Sequence, residues 1–298
     1  MSELTIAFIG LGEAGGLLAQ GLAQRGLAVR AWDVLFDDPE RREEMLARAR
    51  ERQVHPARNL EDAIRSAHLV ISAVTASSAA QAAEEAGRIM ATGQVFLDIN
   101  SVSPETKRGD REFVEKRGAD YVEAAVMAPV PPYGLKVPIL LGGRRSGEVA
   151  TLLSGLGMKA KAISPEVGVA SAVKMCRSVM IKGIEALTVE SMAAARHYGC
   201  EALVLASLEE TFPGIGWNAQ LPHYLISRVA EHGERRAAEM REVAKTLRDA
   251  GVPPYMSEAS AEVQDAIPRA MRARGMHYET DRAFDWMAFV DQLSRKGA

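Results

Sequence analysis

The segment Gly10-Leu11-Gly12-Glu13-Ala14-Gly15 constrains the fold of this chain more than any other, because it directly follows an apolar run at residues 4–9 and opens a helical pattern. Each glycine has a mechanical reason. The first permits a tight turn, the second lets the backbone approach a ligand closely, and the third lets a helix pack hard against a strand. The helix start also offers N–H groups and a partial positive charge to a phosphate. A second β-rich run, residues 28–32, leads into Asp33, 18 residues beyond Gly15. A carboxylate at that distance accepts hydrogen bonds from ribose hydroxyls. The first ~30 residues therefore read as a strand-turn-helix unit that binds a dinucleotide, with Gly10, Leu11, Gly12, Glu13, Ala14, Gly15 and Asp33 as cofactor-binding residues. Asp33 would repel a 2′-phosphate, and it is followed by Val34, Leu35 and Phe36 rather than by an arginine. NAD is the favoured cofactor, with NADP as the alternative that Arg30 or Arg41 could support.

The rest of the first half continues the pattern. Apolar runs at 69–74, 95–99, 121–127 and 137–141 alternate with helical stretches such as 77–90 and 104–117. Strands apolar on both faces, separated by helices, indicate a mostly parallel sheet covered on each side. Ligands of such sheets sit beyond the carboxyl ends of the strands. This makes Val74 and Thr75 candidate cofactor contacts and Asn100 and Ser101 candidate contacts to nicotinamide or substrate.

After residue 165 the character changes. Residues 167–198 contain no proline and no turn signal, and read as one helix of about 30 residues, ~45 Å long. Further helices are expected at 220–250, 254–274 and 280–293, separated by Gly251, Pro253-Pro254 and Gly275. The expected fold is a Rossmann-type α/β domain, residues 1–165, followed by an all-α domain, residues 166–298, linked by a long interdomain helix.

Composition removes several classes of function. The 36 basic and 39 acidic residues leave a net charge of −3, so no global field attracts nucleic acid or an anionic membrane. Cys176 and Cys200 are the only cysteines and the six histidines are scattered, so neither a disulfide framework nor a metal site is expected. No uninterrupted apolar stretch approaches the ~18 residues of a membrane span, and the N-terminus lacks the basic region of a leader. A cytoplasmic location is the expectation.

On the long helix, Lys174, Arg177, Ser178, Ile181, Lys182 and Glu185 fall within one stripe at ~100° per residue. From spacing alone, this stripe is equally a solvent face or a cleft-facing surface. The glycine turn, the long helix and the G-x-x-x-x-x-K pattern at Gly168–Lys174 together resemble the β-hydroxyacid dehydrogenase superfamily, which includes 3-hydroxyisobutyrate and 6-phosphogluconate dehydrogenases. The segment 232–240, running on to Gly251-Val252-Pro253, is similar to the C-terminal domain of its poorly characterised phosphogluconate-dehydrogenase-like members. The resemblance implies that Lys174 is the catalytic acid/base of hydride transfer between a carbinol carbon and nicotinamide. It also implies that Arg177 and Ser178 lie near the substrate, and that the chain forms a homodimer through its helical domain. Ser178 stands where the superfamily usually carries an asparagine.

The superfamily's Gly-rich substrate loop is replaced here by residues 123–132, in which Met127, Ala128 and the prolines 129, 131 and 132 remove the paired glycines. Met127 and Ala128 are then expected to line a more apolar pocket, for a bulkier or less charged substrate. The leading expectation is an NAD(P)-dependent dehydrogenase acting on a hydroxy acid or related alcohol. The alternatives are an imine reductase, which retention of Lys174 disfavours, and a non-catalytic NAD(H)-binding sensor.

Overall fold

The computed structural model describes residues 4–279 and 284–294. The chain divides into two compact units, Met1–Met175 and Cys176–Ala298.

The first unit is built on β1 (Thr5–Ile9), α1 (Glu13–Ala23), β2 (Ala28–Trp32), α2 (Arg42–Glu51), β3 (His55–Pro56), α3 (Leu60–Ile64), β4 (Leu69–Ser72), α4 (Ala79–Ile89), β5 (Val95–Asp98), α5 (Pro104–Glu115), β6 (Asp120–Val126), β7 (Pro138–Gly142), α6 (Ser146–Gly155) and β8 (Lys159–Ser164). Eight strands form one sheet in the order β3-β2-β1-β4-β5-β6-β7-β8. All pairings are parallel except β6 with β7. This is the mostly parallel, Rossmann-type sheet that the sequence implied. The short strand β3, the edge strand β8 and helices α3 and α6 have no counterpart among the elements expected from the sequence.

Burial explains why the central strands are apolar throughout. Every residue of β4 and β5 is buried. Along β1, Ile6 and Phe8 enter one core while Ala7 and Ile9 enter the other, as the two-residue repeat of a strand requires. The strand order reverses between β1 and β4, which places the switch point of the sheet beside the glycine turn.

Helix α7 (Val169–His197) begins in the first unit and runs as one 29-residue element into the second. The second unit continues with α8 (Glu201–Thr211), α9 (Leu221–Asp249), α10 (Tyr255–Ala273) and α11 (Trp286–Ser294). Residues 280–283 of the helix expected at 280–293 lie outside the described residues. Val189, Met192, Ile226, Val229, Trp286 and Phe289 belong to the apolar core of this unit. Gly233 lets α9 touch α10, since a Cβ there would overlap the Gln264 carbonyl oxygen and the Pro268 ring. That carbonyl is four residues before Pro268, which has no N–H to return to it. No helix among the described residues is long and apolar enough to cross a membrane.

Candidate active site

Strand register assembles the site of the first unit. Trp32, Ile9, Ser72, Asp98 and Glu123 lie side by side across β2, β1, β4, β5 and β6. The candidate residues emerge just beyond this row: Asp33 after Trp32, the glycine turn after Ile9, Val74 and Thr75 after Ser72, and Asn100 and Ser101 after Asp98. The sequence named these residues one loop at a time. The register puts them on one edge of the sheet.

At the glycine turn, Gly10 has a φ of 93°, in the left-handed region, and its N–H donates to the Trp32 carbonyl at 2.9 Å. A Cβ on Gly15 would overlap the Gly10 carbonyl oxygen, whereas one on Gly12 would meet nothing within 4 Å. Gly12 is the N-cap of α1 and contributes no side-chain capping bond. The open space at Gly12 and the uncapped helix start therefore fit a dinucleotide pyrophosphate. Gly10–Gly15 would hold it, with Glu13 and Ala14 in the first turn.

Asp33 is buried. Its carboxylate accepts from Leu11 N at 2.7 Å and from Leu35 N at 3.0 Å, tying the glycine turn to the end of β2. Arg30 is held by Asp62 at 2.9 Å and Arg41 by Glu44 at 3.1 Å. A different arginine reaches the turn: Arg52 Nη1 donates to the Leu11 carbonyl at 3.1 Å, 41 residues away. Burial, with Arg48 nearby, pushes the Arg52 guanidinium below its usual range. Nothing in the local sequence marks Arg52 for this position.

Asn100 is buried, with both ends of its amide engaged. Its Oδ1 accepts from Val74 N at 2.7 Å and its Nδ2 donates to Ser72 Oγ at 2.9 Å, so it holds the loop after β4. Behind it, Asp98 accepts from Asn100 N at 2.9 Å, from Tyr121 OH at 2.7 Å and from Lys107 Nζ at 2.9 Å. Asp98, Lys107 and Tyr121 are all buried. Burial and the adjacent Asp98 push the Tyr121 phenol well above its usual range, keeping it a donor. The Ser101 hydroxyl is buried with no hydrogen-bond partner among the described residues. Thr75 is exposed, its Oγ1 at 3.1 Å from Ser77 Oγ and 3.0 Å from Ser78 Oγ.

Met127 and Ala128 follow β6 and are half-buried. The Met127 N–H donates to the Pro138 carbonyl at 2.9 Å, and Ala128 packs against the core. The loop therefore offers apolar side chains at these two positions, with the Met127 amide already engaged.

Lys174 is half-buried in the second turn of α7. The stripe drawn through it by spacing does not stay together. Arg177 and Ile181 are exposed, while Ser178, Lys182 and Glu185 are buried. Within the second unit, Lys182 Nζ lies 2.5 Å from Glu239 and 3.5 Å from Ser178 Oγ. Glu185 pairs with Arg236 and accepts from Gln264 Nε2 at 3.3 Å. Burial lowers the Lys182 ammonium from its usual range, against the pull of Glu239. The charged side of α7 faces inward because α9 supplies the countercharges, without which burial would be prohibitive.

No group of three or more His, Cys, Asp or Glu able to hold a metal ion occurs among the described residues.

Comparison with known proteins bears on the family. Residues 5–130 match the NAD binding domain of 6-phosphogluconate dehydrogenase, and residues 195–267 match a domain of unknown function, DUF1932. A conserved hypothetical protein from Sinorhizobium meliloti is 40% identical, with 98% of this chain and 96% of that chain covered and a TM-score of 0.76. A second solved structure, of a conserved protein reported as similar to 3-hydroxyacid dehydrogenases, is 33% identical over 89% of this chain and 97% of its own, with a TM-score of 0.69. An NAD-dependent L-serine dehydrogenase from Pseudomonas aeruginosa is 25% identical over 219 residues, 71% of each chain. The chain belongs to the β-hydroxyacid dehydrogenase superfamily, in the branch that joins a 6-phosphogluconate-dehydrogenase-type NAD-binding domain to a DUF1932 domain.

Proposed function

We propose that this protein is an NAD(P)-dependent dehydrogenase acting on the CH–OH/C=O group of a hydroxy acid or related alcohol, with Lys174 as general acid/base. The observation that supports this reading is the single edge of the sheet from which the glycine turn, the Asn100–Ser101 loop and the Met127–Ala128 loop all emerge. The nicotinamide ring, when bound, supplies or accepts the hydride. Lys174 takes the hydroxyl proton during oxidation or returns it to the carbonyl oxygen during reduction. Ser101 offers a hydroxyl with no other partner among the described residues. Arg177, exposed one turn beyond Lys174, is suited to a substrate carboxylate. Asn100 acts indirectly, by fixing Val74 and Thr75 against the cofactor.

NAD is the preferred cofactor, because a buried carboxylate at Asp33, bonded to the glycine turn at the end of β2, would repel a 2′-phosphate. The L-serine dehydrogenase relative makes L-serine the first substrate to test. Larger hydroxy acids and aryl alcohols follow, given the apolar loop. The purified protein with NAD should oxidise at least one member of this panel. Lys174→Ala should lower kcat by about 10²–10⁴ while leaving NADH binding intact. Near-normal turnover in that variant would exclude the role of Lys174. NADH binding without turnover of any substrate would favour the sensor.

The protein is proposed to act as a homodimer through its helical domain. Met180 and Leu187 are 63% and 54% exposed, and Ile184 between them is also exposed. Spacings of four and three residues place them on one seam of α7, suited to an equivalent helix of a second copy.

A further inference from the structure

Gly168, the residue before helix α7, has no side chain with which to cap it. The first N–H groups of the helix are met from 45 residues away. The buried carboxylate of Glu123, on β6, accepts from Gly168 N at 2.7 Å, Ala170 N at 2.9 Å, Ser171 N at 3.2 Å and Ser171 Oγ at 2.7 Å. Four donors on one carboxylate fix both the height and the rotation of the helix start, which a single cap in the chain would not do. Glu123 is also level with Ile9, Ser72 and Asp98, the row from which the cofactor and substrate loops emerge. Lys174 lies three residues beyond Ser171 and four beyond Ala170, hence one turn on along the same helix face. Helical side chains lean toward the N-terminus, so the Lys174 side chain leans back toward the capped end.

We propose that Glu123 is the positioning residue for Lys174: by capping α7 from the sheet, it holds the lysine at a set height and rotation relative to the cofactor edge. The proposal rests on the reading of Lys174 as the acid/base, and its test separates the two. Glu123→Gln keeps the shape but offers one acceptor oxygen and turns an NH2 group toward N–H donors. In the full chain, amide exchange over residues 168–174 should speed up by about tenfold or more, and acetylation of Lys174 by acetic anhydride, followed by mass spectrometry, should quicken about threefold. NADH affinity should stay within about twofold, since the glycine turn is not altered. With L-serine, or another hydroxy acid that the wild type oxidises, kcat should fall about tenfold or more with KM little changed.

Unchanged exchange and unchanged Lys174 labelling would overturn the proposal, whatever Lys174 does in catalysis. Loss of NADH binding in parallel would also overturn it, since Glu123 would then hold the whole domain. Full turnover in Lys174→Ala would remove the acid/base reading but leave the exchange and labelling results to judge the capping. Should Glu123→Gln fail to fold, Ser171→Ala removes one donor of the four. It should show the same signature more weakly, and Ser171→Thr, which keeps the hydroxyl, should restore the wild-type values.

Discussion

The carboxylate of Asp33 accepts one N–H from the glycine turn and one from Leu35. A carboxylate has about four acceptor sites, so these bonds leave about two, which the proposed ribose contacts would use, and its charge would oppose a 2′-phosphate. Asp33→Asn should bring the NADPH and NADH dissociation constants about tenfold closer together. An unchanged ratio would show that another residue sets the preference. Tyr121 performs a different task, donating its buried hydroxyl to Asp98. Tyr121→Phe leaves that carboxylate oxygen short of a donor and should cost about 1–3 kcal/mol in denaturant unfolding. The two residues differ in legibility. Asp33 is readable because it lies at a fixed distance from a glycine turn. Tyr121, Lys107 and Glu123 are not, because each owes its role to a residue on a different strand or helix.

At the scale of elements, the extent of α7 is plain from the sequence, since 30 residues without a proline or turn signal have few other conformations open to them. Its orientation is not. Apolar and charged positions both recur at helical spacing, and the inward face is the one whose charges find partners on α9: Lys182 with Glu239 and Glu185 with Arg236. The same helix α9 carries His232. Burial and then the neighbouring Arg228, Arg235 and Arg236 lower its pKa from 6.5 to about 4, although Glu231 is 3.3 Å away. Desolvation and three cations outweigh the opposing carboxylates, Glu239 and Glu231, the latter itself part-exposed and screened. The folded state thus favours neutral His232. The stability this gives is complete above pH 6.5 and is lost as the pH falls toward 4. Melting temperature should decline across that window, and His232→Gln should flatten part of the decline. An identical pH profile in the variant would remove His232 as the cause.

For the molecule as a whole, the outward seam of α7 has the largest consequence. Met180, Ile184 and Leu187 expose apolar surface on a helix whose Lys182 and Glu185 are turned inward. A monomer would leave that patch in water, and a second copy would cover it. Leu187→Glu should shift the protein toward a monomer by light scattering, with its helical content unchanged by circular dichroism. A wild type that is monomeric throughout would end the homodimer proposal. Of the candidate residues, the glycine turn, Asp33, Asn100, Ser101, Met127, Ala128 and Lys174 belong to the first compact unit and Arg177 and Ser178 to the second.

The sequence alone determined the glycine turn, the parallel α/β order, the long helix and the helical character of the second half. These depend on backbone conformation and short-range periodicity, which neighbouring residues fix among themselves. Only the tertiary structure decided that Asp98, Lys107 and Tyr121 support Asn100, that Glu123 caps α7, and that the charged side of α7 turns inward. The physical reason is common to all three: a charge or polar group can be buried only where partners from distant segments meet it. Hydrophobic pattern records the cost of removing a residue from water, but not the partner that offsets it.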